Sequence, residues 1–241
     1  MKQGFLSVGM LIFLLPVYSQ GLSPQSNKKL GEIFITGGIN NIFNIDGWSV
    51  RKTVDDPMAV SAPGPIIFTL GGGCNFIFKD AFAFSPTLFF FGNYYLWEGD
   101  RAYPAEIEHR TSLALNFLLD LPFVYYFRWK DFYFSGGIGL AANMRIAALA
   151  QGVPDGDKDD SKEIQNFFWE NLNFLYPSLQ LNCDFITSHG ISAGLGVRLF
   201  LSVGSWVRKA SFFDGAYLSA FFRITLEEMG LVKKIFGSTG K

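Results

Sequence analysis

Charged residues are scarce in this chain of 241 residues. Asp, Glu, Lys and Arg make up 17% of the sequence, and aromatic residues make up another 17%. A typical soluble domain is about one quarter charged, so this composition indicates a surface in contact with something other than water. Long apolar runs are missing as well, because beyond the N-terminus no stretch reaches the about 18 consecutive apolar residues of a membrane-spanning helix. The hydrophobicity must therefore be spread along the chain, and alternation is one way to do that.

An excess of basic charge is also missing. The chain has 20 Lys and Arg against 21 Asp and Glu, and only two His and two Cys. No basic stripe is interleaved with aromatic residues, so nucleic acid is not expected as a partner.

The N-terminus has the pattern of a secretory signal peptide. Lys2 supplies a positive charge at the start, and residues 5–15 form a short apolar core. Val17 and Ser19, which are small to medium-sized, occupy positions −3 and −1 before a cleavage site at Gln20. An uncleaved helical anchor is the alternative, but the apolar run is short for a membrane span. We therefore predict that residues 1–19 are a signal peptide.

Apolar and polar residues alternate with a period of two along most of the remaining chain. In the last segment Leu218 and Phe222 occupy even positions, whereas Ser219 and Arg223 occupy odd positions. A strand that separates lipid from a polar interior requires this pattern. Eight such segments can be identified: residues 33–43, 66–78, 82–97, 107–123, 132–146, 175–185, 191–203 and 216–226.

A soluble β-sandwich alternates too, and it is the competing interpretation. The apolar faces here extend for about ten residues, longer than the usual strand of about five or six. The polar faces are rich in Gly, Ser and Asn, which fit a narrow interior, and an even number of segments is typical of bacterial single-chain barrels. We predict an all-β fold, an eight-stranded antiparallel up-and-down transmembrane β-barrel over residues 31–226. Cys74 and Cys183 would face outward on distant strands, so no disulfide is expected.

Short and long gaps between the segments also alternate. The gaps at residues 79–80, 128–130 and 187–190 are short, whereas those at residues 46–64, 98–105, 151–163 and 204–214 are longer. Short periplasmic turns and longer extracellular loops characterise outer-membrane barrels. This pattern predicts a barrel in bacterial outer-membrane lipid with both termini periplasmic. The expected state is a monomer. Residues 20–30 would be an N-terminal periplasmic segment and residues 227–241 a C-terminal periplasmic tail.

With these segments and gaps, the mature chain resembles the small eight-stranded outer-membrane proteins of the OmpA-barrel, OmpX and OmpW type. The resemblance covers the whole mature chain and rests on architecture. It implies an aromatic residue at the end of the last strand that serves as an assembly signal. Here the last strand ends near Leu226, before the tail, and Phe222 or Phe236 would serve as the assembly signal.

Charged residues fall on the inward-facing side of several segments. An eight-stranded barrel has an interior just wide enough for side chains, so inward charges are expected to pair. Glu32 and Arg223, on the neighbouring first and last strands, are predicted to fasten the seam. Arg198 is predicted to pair with Asp184, with Asp120 as the alternative partner. A further group of charges lies nearer the longer loops: Arg145, Glu106, Glu108 and Arg110.

The interior could alternatively serve as a conduit. A charged ion path is one alternative to a plug, and inward-facing Phe89, Phe91 and Phe200 would suit a narrow OmpW-type channel for small or hydrophobic solutes. Because eight strands leave little space, we expect a plugged interior.

The longer loops carry aromatic residues beside charged ones, and exposed aromatics can anchor a partner such as a host or surface ligand. These residues are Trp48, Trp97, Tyr103, Trp206, Phe212 and Phe213. Residues 155–160 alternate carboxylates like a calcium loop but lack the glycine and glutamate that an EF-hand needs. We expect a solvated acidic loop there and no metal site.

Catalysis has one candidate, His109. Lipid-A deacylases of the outer membrane carry a His-x-Ser pair on the outer barrel face, but here Thr111 stands where Ser is expected. We therefore predict no catalytic residue and no cofactor, with His109 at the membrane interface and His189 in a solvated turn. The expected function is non-enzymatic, structural or surface-interacting through extracellular loops. A narrow channel and a lipid-modifying enzyme are the alternatives.

Overall fold

A computed structural model describes residues 32–50, 52, 60–61, 64–78, 81–105, 111–149, 157–186 and 191–226. Several predictions concern residues outside these ranges: the signal peptide, the N-terminal segment, the C-terminal tail, and the residues Glu106, Glu108, His109, Arg110 and His189. The side chain of Trp48 also lies outside the described part.

Alternating residues form the strands, as the sequence predicts. In the first strand Phe34 and Thr36 are buried, whereas Ile33 and Ile35 are exposed. The strands are β1 (Glu32–Ile42), β2 (Ile66–Phe78), β3 (Phe82–Phe84), β4 (Thr87–Glu98), β5 (Arg101–Pro104), β6 (Ser112–Trp129), β7 (Phe132–Leu149), β8 (Leu175–Ile186), β9 (Ile191–Phe200) and β10 (Tyr217–Leu226). The helices are α1 (Gly47–Val50), α2 (Asp157–Trp169), a 3₁₀ turn (Glu170–Leu172) and α3 (Val203–Val207).

Antiparallel pairing joins the strands into a closed ring. Strand β1 pairs with β2 on one side and with β10 on the other, and β10, β9, β8, β7 and β6 follow one another around the ring. Strands β3 and β4 together fill the position between β2 and β6. The ring therefore has eight positions, and the predicted eight-stranded antiparallel barrel is confirmed.

The third predicted segment is interrupted at Ser85 and Pro86. Register is the same on both sides of the break, because Phe84 pairs with Phe76 and Thr87 pairs with Gly73. Proline has no backbone N–H and cannot donate to a sheet ladder, so the assignment of a strand ends there and begins again. The two pieces together occupy one of the eight strand positions of the barrel, each of which is called a stave below.

All four of the longer gaps contain regular structure that the sequence did not predict. Residues 98–105 include β5, which folds back on β4 through a turn where Gly99 has a φ of 65°. Only glycine adopts such a φ without steric cost. Strands β4 and β5 therefore form a hairpin that rises beyond the ring.

Helix α2 replaces much of the predicted acidic loop. Its apolar residues Ile164, Phe167 and Phe168 are buried against Tyr95 and Ala114, and they close over this end of the barrel. Strand β7 continues beyond Ala142, the last of its residues that pairs with β8, so this edge of β7 needs other partners. Gln165 of α2 supplies them: Ala147 N donates to Gln165 Oε1 at 2.7 Å, and Gln165 Nε2 donates to Arg145 O at 3.0 Å.

Exposed apolar side chains cover the outside of the barrel on every stave. Phe68 is 85% exposed, and Ile66 and Leu195 are each 71% exposed. Soluble monomers rarely expose contiguous apolar patches larger than a few hundred Å², so an apolar band around a closed barrel is the surface of a transmembrane barrel. Among the described residues, no helix is both long enough and apolar enough to cross a membrane.

Candidate functional site

Where the structure describes them, the candidate site residues predicted from the sequence lie in the interior and at one end of the barrel. The turn end carries residues 32 and 226 and the β6–β7 turn at Lys130. The loop end carries the β4–β5 hairpin, α2 and α3. From the turn end to the loop end, the interior contains charged pairs, then an aromatic layer, and then a buried arginine beneath the loops.

Arg223 forms its ion pair with Asp184, and the negative charge of the predicted partner Glu32 also acts on it. Arg223 Nε donates to Asp184 Oδ1 at 3.1 Å, and Nη2 donates to Oδ2 of the same carboxylate. Gly194 of β9 lies between these two residues in the sheet register. A Cβ on Gly194 would sit 2.1 Å from Asp184 Oδ1, so the absence of a side chain there lets the pair form across an intervening strand.

Glu32 takes part in a hydrogen-bonded chain at the turn end. Asn75 Nδ2 donates to Glu32 Oε2 at 3.0 Å, and Ser85 Oγ donates to Asn75 Oδ1 at 2.7 Å. Strands β1 and β2 are neighbours, so this chain joins the first strand to the second. The seam between β1 and β10 is held by backbone pairing, by the Thr36 hydroxyl donating to Phe222 O at 2.9 Å, and by Arg223, whose Cζ lies 5.3 Å from the Phe34 ring centroid.

Arg198 pairs with Asp120, the second of the two partners considered. Arg198 Nη1 donates to Asp120 Oδ2 at 3.0 Å, and neither side chain has any exposed surface. Ser178 Oγ also donates to Asp120, at 2.6 Å. Asp120 is on β6 and Arg198 is on β9, which are not neighbours in the ring, so the pair crosses the interior.

Aromatic residues fill the interior above this pair. The predicted inward residues Phe89, Phe91 and Phe200 are all buried and belong to one cluster with Tyr176 and Tyr217. The Phe89 and Phe200 ring centroids lie 6.3 Å apart, and those of Phe91 and Tyr217 lie 5.6 Å apart. Edge-to-face contacts at such distances pack the cross-section of the barrel.

Arg145 lies above the aromatic layer in a cage of rings. Its Cζ is 4.9 Å from the centroid of Phe168, 5.5 Å from that of Tyr176 and 5.9 Å from that of Tyr217. Its Nη2 donates to the hydroxyls of Tyr176 and Tyr217. Its predicted neighbours at residues 106, 108 and 110 lie outside the described part of the chain.

A cluster of charges clamps three loops together at the loop end. Arg101 donates to Asp46 Oδ2 at 3.1 Å and to Asp214 Oδ2 at 2.7 Å. Ser211 Oγ donates to Asp46 Oδ1 at 2.9 Å. Burial opposes ionisation of Asp46, but the hydrogen bonds from Ser211 and Arg101, with the Arg101 charge, outweigh it and lower the pKa of this carboxyl.

The aromatic loop residues have two different environments. Trp97 packs on Phe167 of α2 at 6.1 Å between centroids, and the ring of Tyr103 is buried beside Arg101. Trp206, Phe212 and Phe213 instead form an aromatic ledge in which Trp206 stacks on Phe212 at 5.2 Å. Phe212 and Phe213 are exposed, so the ledge is available to a partner.

The sequence interpretation missed Tyr95, Tyr176 and Tyr217 as members of this site. Tyr217 does fall on the polar face of the last segment, so alternation could have placed it inside. Nothing local in the sequence indicated that α2 would bring Phe168 against Arg145. That contact depends on how a connecting segment folds back over the barrel.

Cys74 and Cys183 lie on β2 and β8, which are not neighbours in the ring. Both thiols are free and half-buried. Within the described ranges, no group of three His, Cys, Asp or Glu residues could hold a metal ion.

No protein-family model matches the sequence, and no curated protein matches it either. Several solved outer-membrane proteins are similar in fold. Neisserial surface protein A (NspA) is 8% identical, with the match covering 82% of this chain and 97% of that one at a TM-score of 0.48. OprG from Pseudomonas aeruginosa is 12% identical, covering 83% and 98% at a TM-score of 0.45. The outer membrane enzyme PagL is 12% identical, covering 82% and 99% at a TM-score of 0.38.

These likenesses concern the course of the barrel only. At such identities and scores they carry no argument about residues or function, and one of the three proteins is an enzyme. The resemblance to small eight-stranded outer-membrane barrels is confirmed at the level of the fold, by the ring of strands described above.

Proposed function

We propose that the protein is a non-enzymatic barrel of the bacterial outer membrane, closed to solutes, that meets the outside through its loop end. The observation that carries this proposal is the combination of an apolar exterior on every stave with an interior filled by paired charges and packed rings. The exterior is matched to lipid, and in the described part of the chain rings and ion pairs occupy the interior. Both termini would then be periplasmic.

The packed interior argues against conduction through the barrel. The pair of Arg198 and Asp120 crosses the barrel, and the cluster of Phe89, Phe91 and Phe200 lies directly above it. A conduit would need these groups to move apart, and separating a buried ion pair leaves uncompensated charges at a cost of about 3–5 kcal/mol. A static plug is the simpler role for them.

The loop end is the surface where recognition would occur. The barrel ladders are continuous and rigid, whereas the loop end carries a built-up structure of hairpin, helices and an exposed aromatic ledge. Binding residues are concentrated on loops that a rigid scaffold positions. The ledge of Trp206, Phe212 and Phe213 presents apolar area to a partner at this end.

Cysteine labelling on intact cells tests the location and the orientation together. In a background in which Cys74 and Cys183 are replaced by Ala, Asp100→Cys places a thiol at the β4–β5 turn and Asp131→Cys places one at the β6–β7 turn. Both aspartates are exposed turn residues, so the two variants are a matched pair. We expect a membrane-impermeant maleimide to label the first and not the second.

Disruption of the cells is the control, because both variants should then be labelled equally. Labelling at Asp131→Cys alone on intact cells would mean that the barrel has the opposite orientation. Labelling at neither position would remove the proposal that the loop end meets the outside.

A further inference from the structure

Three arginines converge on one cavity at the loop end. The cavity has a volume of about 40 Å³, is partly open to solvent, and has Arg101, Arg145, Arg208, Asp214 and Tyr217 among its lining residues. A single water molecule needs about 10–15 Å³ of such space, so the cavity holds a few waters or one small polar group. Its walls also include aromatic rings, those of Tyr103 and Phe167.

The charges around the cavity do not balance. Arg101 is paired with two carboxylates, Asp46 and Asp214. In the described part of the chain, Arg145 and Arg208 make no ion pair: Arg145 bonds to tyrosine hydroxyls, and Arg208 donates to the Asn173 amide. The group of three arginines and two aspartates therefore carries one net positive charge.

Hydrogen-bond donors are also left over. The Nε atoms of Arg101, Arg145 and Arg208 are all buried and have no hydrogen-bond partner among the described residues. A buried donor that makes no hydrogen bond is costly, and more so when the group is charged. An anion in the cavity would accept hydrogen bonds from guanidinium groups and would neutralise the excess charge.

The arginines influence one another, which indicates that they lie close together. Burial and the positive charge of Arg101 lower the pKa of Arg208, with Asp214 partly opposing the effect. Such repulsion between like charges is what an anion between them would relieve.

We propose that this cavity binds the carboxylate group of a small organic anion, with Arg145 as its principal partner and Arg208 as the second. One carboxylate matches the single net charge. Arg145 would donate to it from its unpartnered Nε, because its Nη2 already donates to two tyrosine hydroxyls, and Arg208, whose Nη1 donates to Asn173, can offer Nε and Nη2 as two parallel donors. The apolar part of the ligand would lie against the rings of Tyr103 and Phe167, which are among the lining residues. Anion binding at the loop end does not depend on whether the barrel interior is closed to solutes.

Titration calorimetry of the full chain, refolded in octyl glucoside and a low-chloride Tris buffer, tests this inference. The probes are sodium benzoate, the neutral analogue benzyl alcohol, and inorganic phosphate. We expect benzoate to bind at one site per chain and benzyl alcohol not to bind. Arg145→Met should weaken benzoate binding at least tenfold. Arg128→Met is the matched control, because Arg128 is an exposed arginine at the opposite, turn end.

Four outcomes would overturn the inference. They are the absence of saturable benzoate binding, equal binding by the Arg145→Met variant, equal binding of benzyl alcohol, and binding of phosphate in place of benzoate. If Arg145→Met does not refold, Arg208→Met serves instead, because Arg208 lies outside the strands and its loss should also weaken binding.

Discussion

Single residues in this barrel determine which charges can pair. Asp184 and Arg223 lie on strands separated by β9, and their contact depends on Gly194 between them. Asp120 and Arg198 meet across the interior without any exposed surface. Taking two charges out of water is costly unless each is paired, so these contacts are required once the charges are buried.

Removal of one member of the buried pair should destabilise the barrel. We expect Asp120→Asn to lower the free energy of unfolding by about 3–5 kcal/mol, because Arg198 would keep its charge in a buried position without a carboxylate. Urea unfolding in detergent, followed by tryptophan fluorescence, measures this. Asp131→Asn is the control, since an exposed aspartate should change stability by less than about 0.5 kcal/mol. Equal stability of the two variants would contradict the prediction.

Replacing both partners by apolar residues should cost much less. The double variant Asp120→Leu with Arg198→Leu leaves no uncompensated charge, and such replacements are often neutral. Its comparison with Asp120→Asn separates the cost of an orphaned charge from the value of the pair.

At the scale of elements, the loop end is built by segments that fold back on the barrel. Helix α2 is attached by three apolar residues and by the hydrogen bonds of Gln165 to the free edge of β7. The barrel itself is held by continuous ladders that do not involve α2. The helix and the barrel should therefore respond differently to mutation.

Ile164→Asp should detach α2 without unfolding the barrel. Ile164 has no exposed surface, so a carboxylate in its place would be buried without a partner and would favour opening of the helix. We expect amide protection over residues 157–169 to fall at least tenfold in hydrogen exchange, while the barrel strands keep theirs.

Asn166→Asp is the matched control for the helix, because it introduces the same side chain on the exposed face of α2. It should leave the protection of the helix unchanged. Loss of protection in the barrel strands of Ile164→Asp would show instead that α2 is an integral part of the barrel.

At the scale of the whole molecule, the distribution of apolar and polar side chains is reversed relative to a soluble protein. Exposed Phe, Leu and Ile cover the outside, and Asn, Ser, Asp and Arg are buried inside. Fully buried charged residues are rare unless they are paired. In the half of the interior nearer the turn end, Arg198 pairs with Asp120 and Arg223 pairs with Asp184. The same eight positions thus separate lipid from a polar but filled core.

The filled core predicts that the barrel does not conduct. In planar bilayers the refolded protein should give no current steps above background, because rings and paired charges occupy its cross-section. The same preparation boiled before reconstitution controls for contaminating channels. Reproducible steps that appear only with the folded protein would refute the closed-barrel proposal and favour the narrow channel.

Much of the barrel could be predicted from the sequence because strand geometry is local. A period of two assigns each residue to the inner or outer face without any knowledge of the partner strand. On this basis Arg145, Arg198 and Arg223 were placed inside, and Phe89, Phe91 and Phe200 with them. The break at Pro86 was missed, although a proline within a strand is itself a local signal.

The sequence by itself determined the class of the fold, the number of staves and the face on which each side chain lies, since all three follow from alternation and from the spacing of the segments. Only the tertiary structure decided the partners. Arg223 pairs with Asp184 because Gly194 leaves space between them, and Arg198 pairs with Asp120 because both side chains reach the interior from β6 and β9. It also decided the loop end, where the β4–β5 hairpin, the end of β7 and the segment after α3 bring Arg101, Arg145 and Arg208 around one cavity. Such contacts join residues far apart in sequence, and the alternation of apolar and polar residues does not predict them.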